Sequence, residues 1–183
     1  QNAVMGLGRV SLVGCGPGEA GLLTLTGLKR LQEADVVLYD QLVDPSILAL
    51  ARRDADLEDV GKRRGQCPIP QTAICERLVA LAQRGLTVCR LKGGDPLIFG
   101  RGSEEAIALR TAGIPVDIVP GITSASAIAA AQGIPLTHRG LARSVRFVTG
   151  HLAVTQPSTD WAGVVAKTET LVIYMGYSHA ETI

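Results

Sequence analysis

The stretch RVSLVGCGPGEAGLLTLTGLKRLQEADVVLYD, residues 9–40, decides the fold class. It opens with an apolar run at 9–14, passes through a glycine-rich loop into an amphipathic segment at 24–33, and ends in a second apolar run at 35–40. Short apolar, β-branched runs that alternate with helical periodicity are typical of parallel strands joined by crossover helices. The stretch therefore predicts a β-α-β unit and an α/β fold.

The same alternation continues along the chain. We predict further strands at 57–61, 87–91, 116–119, 145–149 and 171–175, and helices at 70–84, 103–112 and 123–132, with Ser103 as an N-cap. The pattern lapses into polar residues before 145, which predicts an N-terminal α/β domain at 8–136, a linker at 137–144 and a second α/β domain starting at 145. The second part, 145–183, holds only about 39 residues, so we expect that domain to be incomplete in this chain.

Composition excludes several classes of function. The chain has 183 residues, 18 basic and 17 acidic side chains and 3% aromatic residues, which disfavours nucleic acid as a partner. Neither a long apolar run nor a signal peptide is visible, so we expect no membrane association and a cytoplasmic location. Cys15, Cys67, Cys75 and Cys89 lack C-x-x-C spacing and the three histidines are scattered, so we predict reduced, mostly buried thiols and no metal site.

The first glycine loop, GCGPG, follows the first strand and leaves several interpretations open. The dinucleotide fingerprint G-x-G-x-x-G fails because its third glycine falls on Glu19. The loop of the common Rossmann-like methyltransferases often has an acidic residue two places before its first glycine, where this chain has Leu12. A phosphate-binding Walker loop at Gly61 is excluded by Asp56. A plain turn between strand and helix fits this loop equally well.

The second glycine loop, LKGGDPLIFGRGSEE, follows the strand at 87–91 and is more constrained than an ordinary connection. Ligands of open α/β sheets bind beyond the carboxyl ends of the strands, so this loop and GCGPG are expected to line one crevice. Backbone amides and carbonyls exposed by glycine suit a zwitterionic methionine moiety, and Ile98 is suited to cover an adenine ring. On its own, the loop is compatible with any anionic or nucleotide ligand.

A set of segments then makes the chain resemble the uroporphyrinogen-III C-methyltransferases, which are S-adenosylmethionine-dependent tetrapyrrole methylases of the class III methyltransferases. In order, they are GCGPGEAGLLTLTGL, VLYDQLV, VGKRRG, RLKGGDPLIFGRG, VPGITSASA, GIPLTHRG, FVTGH and LVIYMG. The resemblance implies a two-domain tetrapyrrole methylase fold with a cleft and a homodimer. It also implies methylation of uroporphyrinogen III at two ring carbons to precorrin-2, for sirohaem- or cobalamin-type tetrapyrroles.

The resemblance also assigns roles to individual residues. The implied S-adenosylmethionine contacts are Pro17, Gly93, Gly94, Asp95, Ile98, Thr123, Ser124 and Met175. Asp40, at the carboxyl end of a strand, is the expected base, and Lys62 is its expected proton donor or carboxylate-binding partner. Because the substrate is a polycarboxylate, Arg63, Arg64, Arg101 and Arg139 are the candidates for binding it. Small departures from the family pattern are Cys15 in the first loop and Ser126 in the ITSAS segment.

Three other functions stay open at this point. A later precorrin methyltransferase of the cobalamin pathway is the nearest alternative within the class. A nicotinamide-dependent oxidoreductase is opposed by Glu19, and a non-enzymatic cofactor sensor is opposed by Asp40 and Lys62.

Overall fold

The computed structural model describes residues 6–61, 69–150 and 166–177. Two compact units make up the chain, Gln1–Ser124 and Ala125–Ile183. The boundary between these two units follows Ser124. The domain bounds 8–136 and 145–183, with a linker at 137–144, stay predictions from the sequence.

The first unit is built on a parallel sheet. Its strands are β1 (Arg9–Gly14), β2 (Val36–Tyr39), β3 (Asp56–Asp59), β4 (Thr87–Lys92) and β5 (Val116–Val119). Its helices are α1 (Leu25–Glu33), α2 (Pro45–Leu48), α3 (Gln71–Gln83) and α4 (Gly102–Thr111), with a 3-10 turn at Ala20–Leu22. The strand order is β3-β2-β4-β1-β5 and every pairing is parallel. The predicted α/β class and parallel sheet are confirmed.

Apolar side chains of the strands pack on both faces of this sheet. On one face, Val10 and Leu12 of β1 pack with Leu78 of α3 and Leu109 of α4. On the other face, a second cluster contains Val13 of β1, Val37 of β2, Leu91 of β4, Leu31 of α1 and Ile47 of α2. The strands are therefore held between two helical layers, and their carboxyl ends are fixed at one edge.

The helix starts follow ordinary capping chemistry. The Thr24 hydroxyl accepts a hydrogen bond from the Gly27 amide at 3.0 Å, which begins α1. The Asp44 carboxylate accepts from the Ser46 amide at 2.8 Å and Pro45 follows it, which begins α2. With four residues, α2 is too short to show a helical period, so the sequence pattern did not predict it.

The second unit holds most of α5 (Ser124–Gln132), together with β6 (Ser144–Thr149) and β7 (Glu169–Tyr174). The two strands pair in parallel, and the rings of Phe147 and Tyr174 meet edge to face with centroids 5.4 Å apart. Both strands were predicted to within two residues at each end.

Two local predictions were wrong. Ser103 is exposed and does not cap α4; the helix begins at Gly102, after Arg101 in the left-handed region. A Cβ at Gly102 would lie 2.5 Å from the Pro96 carbonyl oxygen, so this glycine fits against the preceding loop and starts the helix early. The third strand ends at Asp59 instead of Gly61, because the Asp59 carboxylate accepts from the Gly61 amide at 2.8 Å and turns the chain.

Candidate active site

Three glycine-containing loops meet at the carboxyl edge of the first unit's sheet, after β1, β4 and β5. The Gly94 amide donates to the Gly16 carbonyl at 2.8 Å, and the Gly16 amide donates to the Gly94 carbonyl at 3.2 Å. The loops after β1 and β4 are thereby joined, as expected for two loops lining one crevice. We call the surface formed by Gly14, Gly16, Gly94 and Gly121 the glycine crevice.

Close approach explains the glycines at two of these positions. A Cβ at Gly14 would lie 2.6 Å from both the Gly121 nitrogen and the Gly94 carbonyl oxygen. A Cβ at Gly121 would collide with that same oxygen. Any side chain at either position would force the loops apart.

Gly94 is a glycine for another reason. Its φ is +65°, and a Cβ built on it would have only the Thr123 Cα near it, at 3.9 Å. A side chain there would therefore extend into open space beside the Thr123 backbone. That space fits a ligand recognised mainly through main-chain amides and carbonyls, which is what an adenosyl-methionine moiety needs.

Asp95 holds the second and third loops together. One carboxylate oxygen accepts from the Leu97 amide at 2.8 Å and the other accepts from the Gly121 amide at 3.0 Å. Both oxygens thus bind backbone within the loops. Asp95 shapes the crevice, and its own contact with a cofactor stays a prediction.

A cavity of about 320 Å³ opens beside the glycine crevice, under the carboxyl ends of β2 and β4. Gly93, which precedes Gly94, is part of its wall, so the cavity and the crevice share one loop. The wall also carries Asp40, Arg90, Lys92, Ile98, Phe99 and Arg101.

Beneath this cavity, two cations of its wall are paired with a buried acid that does not itself line the cavity. Glu105 of α4 is fully buried, and Arg90 and Lys92 of β4 are 3% and 4% exposed. Glu105 Oε1 accepts from Lys92 Nζ at 3.0 Å and lies 3.4 Å from Arg90 Nε. Gln71 Nε2 donates to the same oxygen at 3.0 Å. We call Arg90, Lys92, Glu105 and Gln71 the floor cluster.

Asp40 connects the floor cluster to the cavity. Its Oδ2 lies 3.4 Å from Arg90 Nη2, whereas its Oδ1 is buried and has no hydrogen-bond partner among the described residues. A buried carboxylate oxygen without a donor costs free energy unless a ligand supplies one. Asp40 is therefore a carboxylate of this wall that has one oxygen without a hydrogen-bond donor among the described residues.

Burial shifts the pKa of two groups near Asp40. Loss of water around Lys92, together with the charge of Arg90, lowers the pKa of its ammonium group, and the Glu105 carboxylate opposes this. Burial and then the charge of Asp40 raise the pKa of the Cys15 thiol to about 12, so this thiol is protonated at neutral pH. Cys15 and Cys89 are buried and Cys75 is half-buried, in line with the sequence prediction for the thiols.

The loop from Gly93 to Gly102 holds two non-glycine residues in the left-handed region, Phe99 at φ 52° and Arg101 at φ 56°. Such conformations are uncommon and cluster at functional sites. Arg101 is exposed and makes a two-bond pair with Glu104, with Nε and Nη2 each 2.8 Å from a carboxylate oxygen. The loop thus brings an arginine on a strained backbone to the cavity wall.

The structure brings several predicted site residues together in the first unit; the others belong to the second unit or lie outside the described residues. Gly93, Gly94, Asp95, Ile98, Asp40 and Arg101 surround the crevice and the cavity; Thr123 adjoins Gly94, and Pro17 is exposed in the first loop. Met175, with φ 56°, and the exposed Arg139 belong to the second unit. Lys62, Arg63 and Arg64 lie outside the described residues.

The sequence reasoning missed the floor cluster. The signal was present in RLK at the end of β4, because cations two residues apart in a strand share one face. A buried cation pair needs an acid nearby, and Glu105 one turn into the next helix supplies it. Among the described residues there is no candidate cluster of metal-binding side chains and no helix of the length and apolarity that a membrane span needs.

A parallel α/β unit with a glycine-lined crevice beside a charged cavity is typical of an enzyme domain that binds a small molecule. The family described as Tetrapyrrole (Corrin/Porphyrin) Methylases matches residues 9–183. The chain belongs to this family, as the sequence resemblance predicted.

Relatives of known name are similar to most of this chain. Siroheme synthases from Escherichia coli (strain K12 / DH10B) and from Shigella boydii serotype 18 are each 57% identical over 176 residues, which is 96% of this chain. The chain spans 38% of the length of these relatives.

Solved structures resemble the fold as well. The uroporphyrin-III-C-methyltransferase of Thermus thermophilus has a TM-score of 0.77 and 50% identity, covering 93% of this chain and 69% of that protein. A second structure of that enzyme, complexed with S-adenyl homocysteine, has a TM-score of 0.66 and 49% identity, covering 78% of this chain and 59% of that one. A cobalt precorrin-4 methyltransferase has a TM-score of 0.68 and 32% identity, covering 77% and 56%.

Proposed function

We propose that this chain is the methyl-transfer part of an enzyme that C-methylates uroporphyrinogen III at two ring carbons, consuming two molecules of S-adenosylmethionine and yielding precorrin-2. The observation that carries the proposal is the shared loop: Gly93 and Gly94 place a side-chain-free crevice directly beside a cavity that contains Asp40. A methyl donor and an acceptor need such adjacent sites, because the reacting atoms must approach to about 3 to 3.5 Å.

The residues present fit S-adenosylmethionine, which supplies an electrophilic methyl group when bound. Gly94 and Thr123 border the open space at the crevice, and Asp95 keeps the loops in register. Recognition in this crevice falls mainly on backbone groups, so conservative changes such as Ile98→Val should have little effect on cofactor affinity. The complex of the Thermus thermophilus enzyme with S-adenyl homocysteine supports S-adenosylmethionine as the cofactor.

The protein's own chemistry in this reaction is positioning and proton removal. The substrate carbon is electron-rich and attacks without activation, after which its proton must leave. Asp40 lines the cavity, and its Oδ1 has no hydrogen-bond partner among the described residues, so Asp40 is the proposed acceptor of that proton. Lys62 remains the proposed partner of Asp40, and Gly61, the residue before it, lines the cavity.

Charge pairing separates the cations of the cavity into two groups. Arg90 and Lys92 are buried with Glu105, and breaking a buried pair costs about 3–5 kcal/mol. The pair of Arg101 and Glu104 is exposed and screened by solvent, so a substrate carboxylate can replace Glu104. We infer that Arg101 binds substrate, with Arg63, Arg64 and Arg139 as the further candidates that the family resemblance supports.

Replacing Arg101 with glutamine is expected to raise KM for the tetrapyrrole about tenfold, because one charge-assisted hydrogen-bonding fork is lost. Steady-state kinetics at saturating S-adenosylmethionine measures this. Arg77→Gln is the matched control, since Arg77 makes the same kind of fork with Glu58 away from the cavity wall. An unchanged KM in the Arg101 variant would remove this residue from the binding site.

Uroporphyrinogen III is favoured over a later precorrin as substrate by degree of similarity. Identity is 50% to the uroporphyrin-III-C-methyltransferase and 32% to the cobalt precorrin-4 methyltransferase. We also infer a homodimer, which the family resemblance supports, and a cytoplasmic location. Mass measurement of the tetrapyrrole after incubation with both substrates under reducing conditions tests the proposal.

A further inference from the structure

Glu105 is a fully buried acid that has no part in the reaction as proposed above. It belongs to α4 and is absent from the cavity wall, so it touches no bound molecule in the cavity directly. A charge buried this completely is retained only where other groups are paired to it. Its effect on the reaction must therefore pass through the side chains that it holds.

One of those side chains leads to the proposed base. Arg90 Nε lies 3.4 Å from Glu105 Oε1, and Arg90 Nη2 lies 3.4 Å from Asp40 Oδ2. The guanidinium group is planar and rigid, so fixing its Nε edge also fixes the direction in which Nη2 points. Arg90 donates a further hydrogen bond from Nη1 to the Leu91 carbonyl at 2.9 Å, which leaves it little freedom.

Charge balance gives Glu105 a second effect on Asp40. Arg90, Lys92, Glu105 and Asp40 carry two positive and two negative formal charges within a connected group. Without the Glu105 carboxylate, two buried cations would face Asp40 alone. The attraction of both cations would then act on Asp40 and displace its carboxylate from its position at the cavity wall.

We propose that Glu105 is a positioning residue that acts through Arg90, and through its contact with Asp40 Oδ2, to hold the Asp40 carboxylate at the cavity wall in the position from which it accepts the proton. The proposal rests on the assignment of Asp40 as the base. Lys92 contributes to the same positioning, because its Nζ binds Glu105 Oε1 at 3.0 Å and holds that carboxylate in place.

The test is Glu105→Gln in the full-length protein, assayed for methyl transfer from S-adenosylmethionine to uroporphyrinogen III. We expect kcat to fall about tenfold or more, while KM for the tetrapyrrole and the calorimetric affinity for S-adenosylmethionine stay within about twofold. Glu33→Gln is the matched control, because Glu33 is also an ion-paired acid, bound to Arg9 at 2.8 Å on the far helix α1. An unchanged kcat in Glu105→Gln would overturn the proposal.

A double variant separates positioning from plain structural support. In an Asp40→Asn background, Glu105→Gln should lower kcat by less than about twofold, since the group it positions is already gone. A full additional loss of kcat in that background would overturn the proposal while leaving Asp40 as the base. If Asp40→Asn alone kept the full rate, the proposed function of Asp40 would fail instead.

Arg90→Lys provides the second variant if Glu105→Gln does not fold. It retains the positive charge but has no fork to span Glu105 and Asp40. We expect the same loss of kcat, again absent in the Asp40→Asn background. Retention of the wild-type kcat by Arg90→Lys would contradict a role for this arginine as the connection.

Discussion

Asp40→Asn is expected to lower kcat for methyl transfer by about 10²-fold or more, since a positioned general base contributes on the order of 10² to 10⁴. The amide keeps the shape of the side chain and still occupies the end of β2, but it cannot take a proton. Its oxygen is still able to face Arg90 Nη2, as Asp40 Oδ2 does at 3.4 Å. The calorimetric affinity for S-adenosylmethionine should therefore stay close to wild type.

The opposite end of the same strand supplies the control. Asp35 precedes β2, and its carboxylate accepts from the Thr87 amide at 2.8 Å and pairs with Arg52 at 2.9 Å. These contacts, the Thr87 hydrogen bond first, lower the pKa of Asp35. Asp35→Asn should cost stability and leave kcat unchanged. If the Asp40 and Asp35 variants behaved alike, proton removal would have to be assigned to another group.

Gly94→Leu is expected to weaken S-adenosylmethionine binding by about 100-fold or more. The leucine side chain would extend into the open space beside Thr123, where the cofactor is proposed to lie. Displacing a ligand from backbone donors in a crevice of this kind removes several hydrogen bonds, each worth about 1 kcal/mol or more. Isothermal titration calorimetry with S-adenosylmethionine measures the loss directly.

Gly113→Leu separates this effect from backbone strain. Gly113 has φ +72°, close to the +65° of Gly94, and a Cβ there would meet no atom within 4 Å. Both leucines would therefore cost about 1–2 kcal/mol of left-handed strain. Only the Gly94 variant should lose cofactor affinity. Equal losses in both variants would mean that strain is the cause, and that the crevice is not the cofactor site.

Much of the fold was predictable because its signals are local and continuous. Strands β1 and β5 match their predicted bounds, since apolar β-branched runs bounded by glycine or proline have few alternatives in a parallel sheet. Convergence of the first and second glycine loops followed from the rule that parallel strands end at one edge. The structure confirms that convergence through the pairing of Gly16 with Gly94.

The remaining features depend on contacts between distant parts of the chain. The early start of α4 is set by Gly102 against the Pro96 carbonyl, which no helical period reveals. In the floor cluster, Gln71 of α3 binds Glu105 of α4, and no local sequence pattern predicts that pairing. The sequence named Asp95 only as an expected cofactor contact, and its bond to the Gly121 amide appears only when the loops after β4 and β5 are folded together.

Family resemblance and structure contribute different parts of the site. The resemblance and the charge of the expected substrate named Asp40, Gly94 and Arg101. The structure adds one feature for each: Asp40 has an oxygen without a partner among the described residues, Gly94 borders open space, and Arg101 is held by an exposed ion pair. The assignments of Lys62, Arg63 and Arg64 remain predictions from sequence.

The most direct measurement is the mass of the tetrapyrrole after the full-length protein is incubated with uroporphyrinogen III and S-adenosylmethionine without oxygen. The account predicts a product heavier by two methyl groups, with S-adenosylhomocysteine formed in twice the molar amount of the tetrapyrrole consumed. An unmodified tetrapyrrole, in a preparation that binds S-adenosylmethionine by calorimetry, would contradict it.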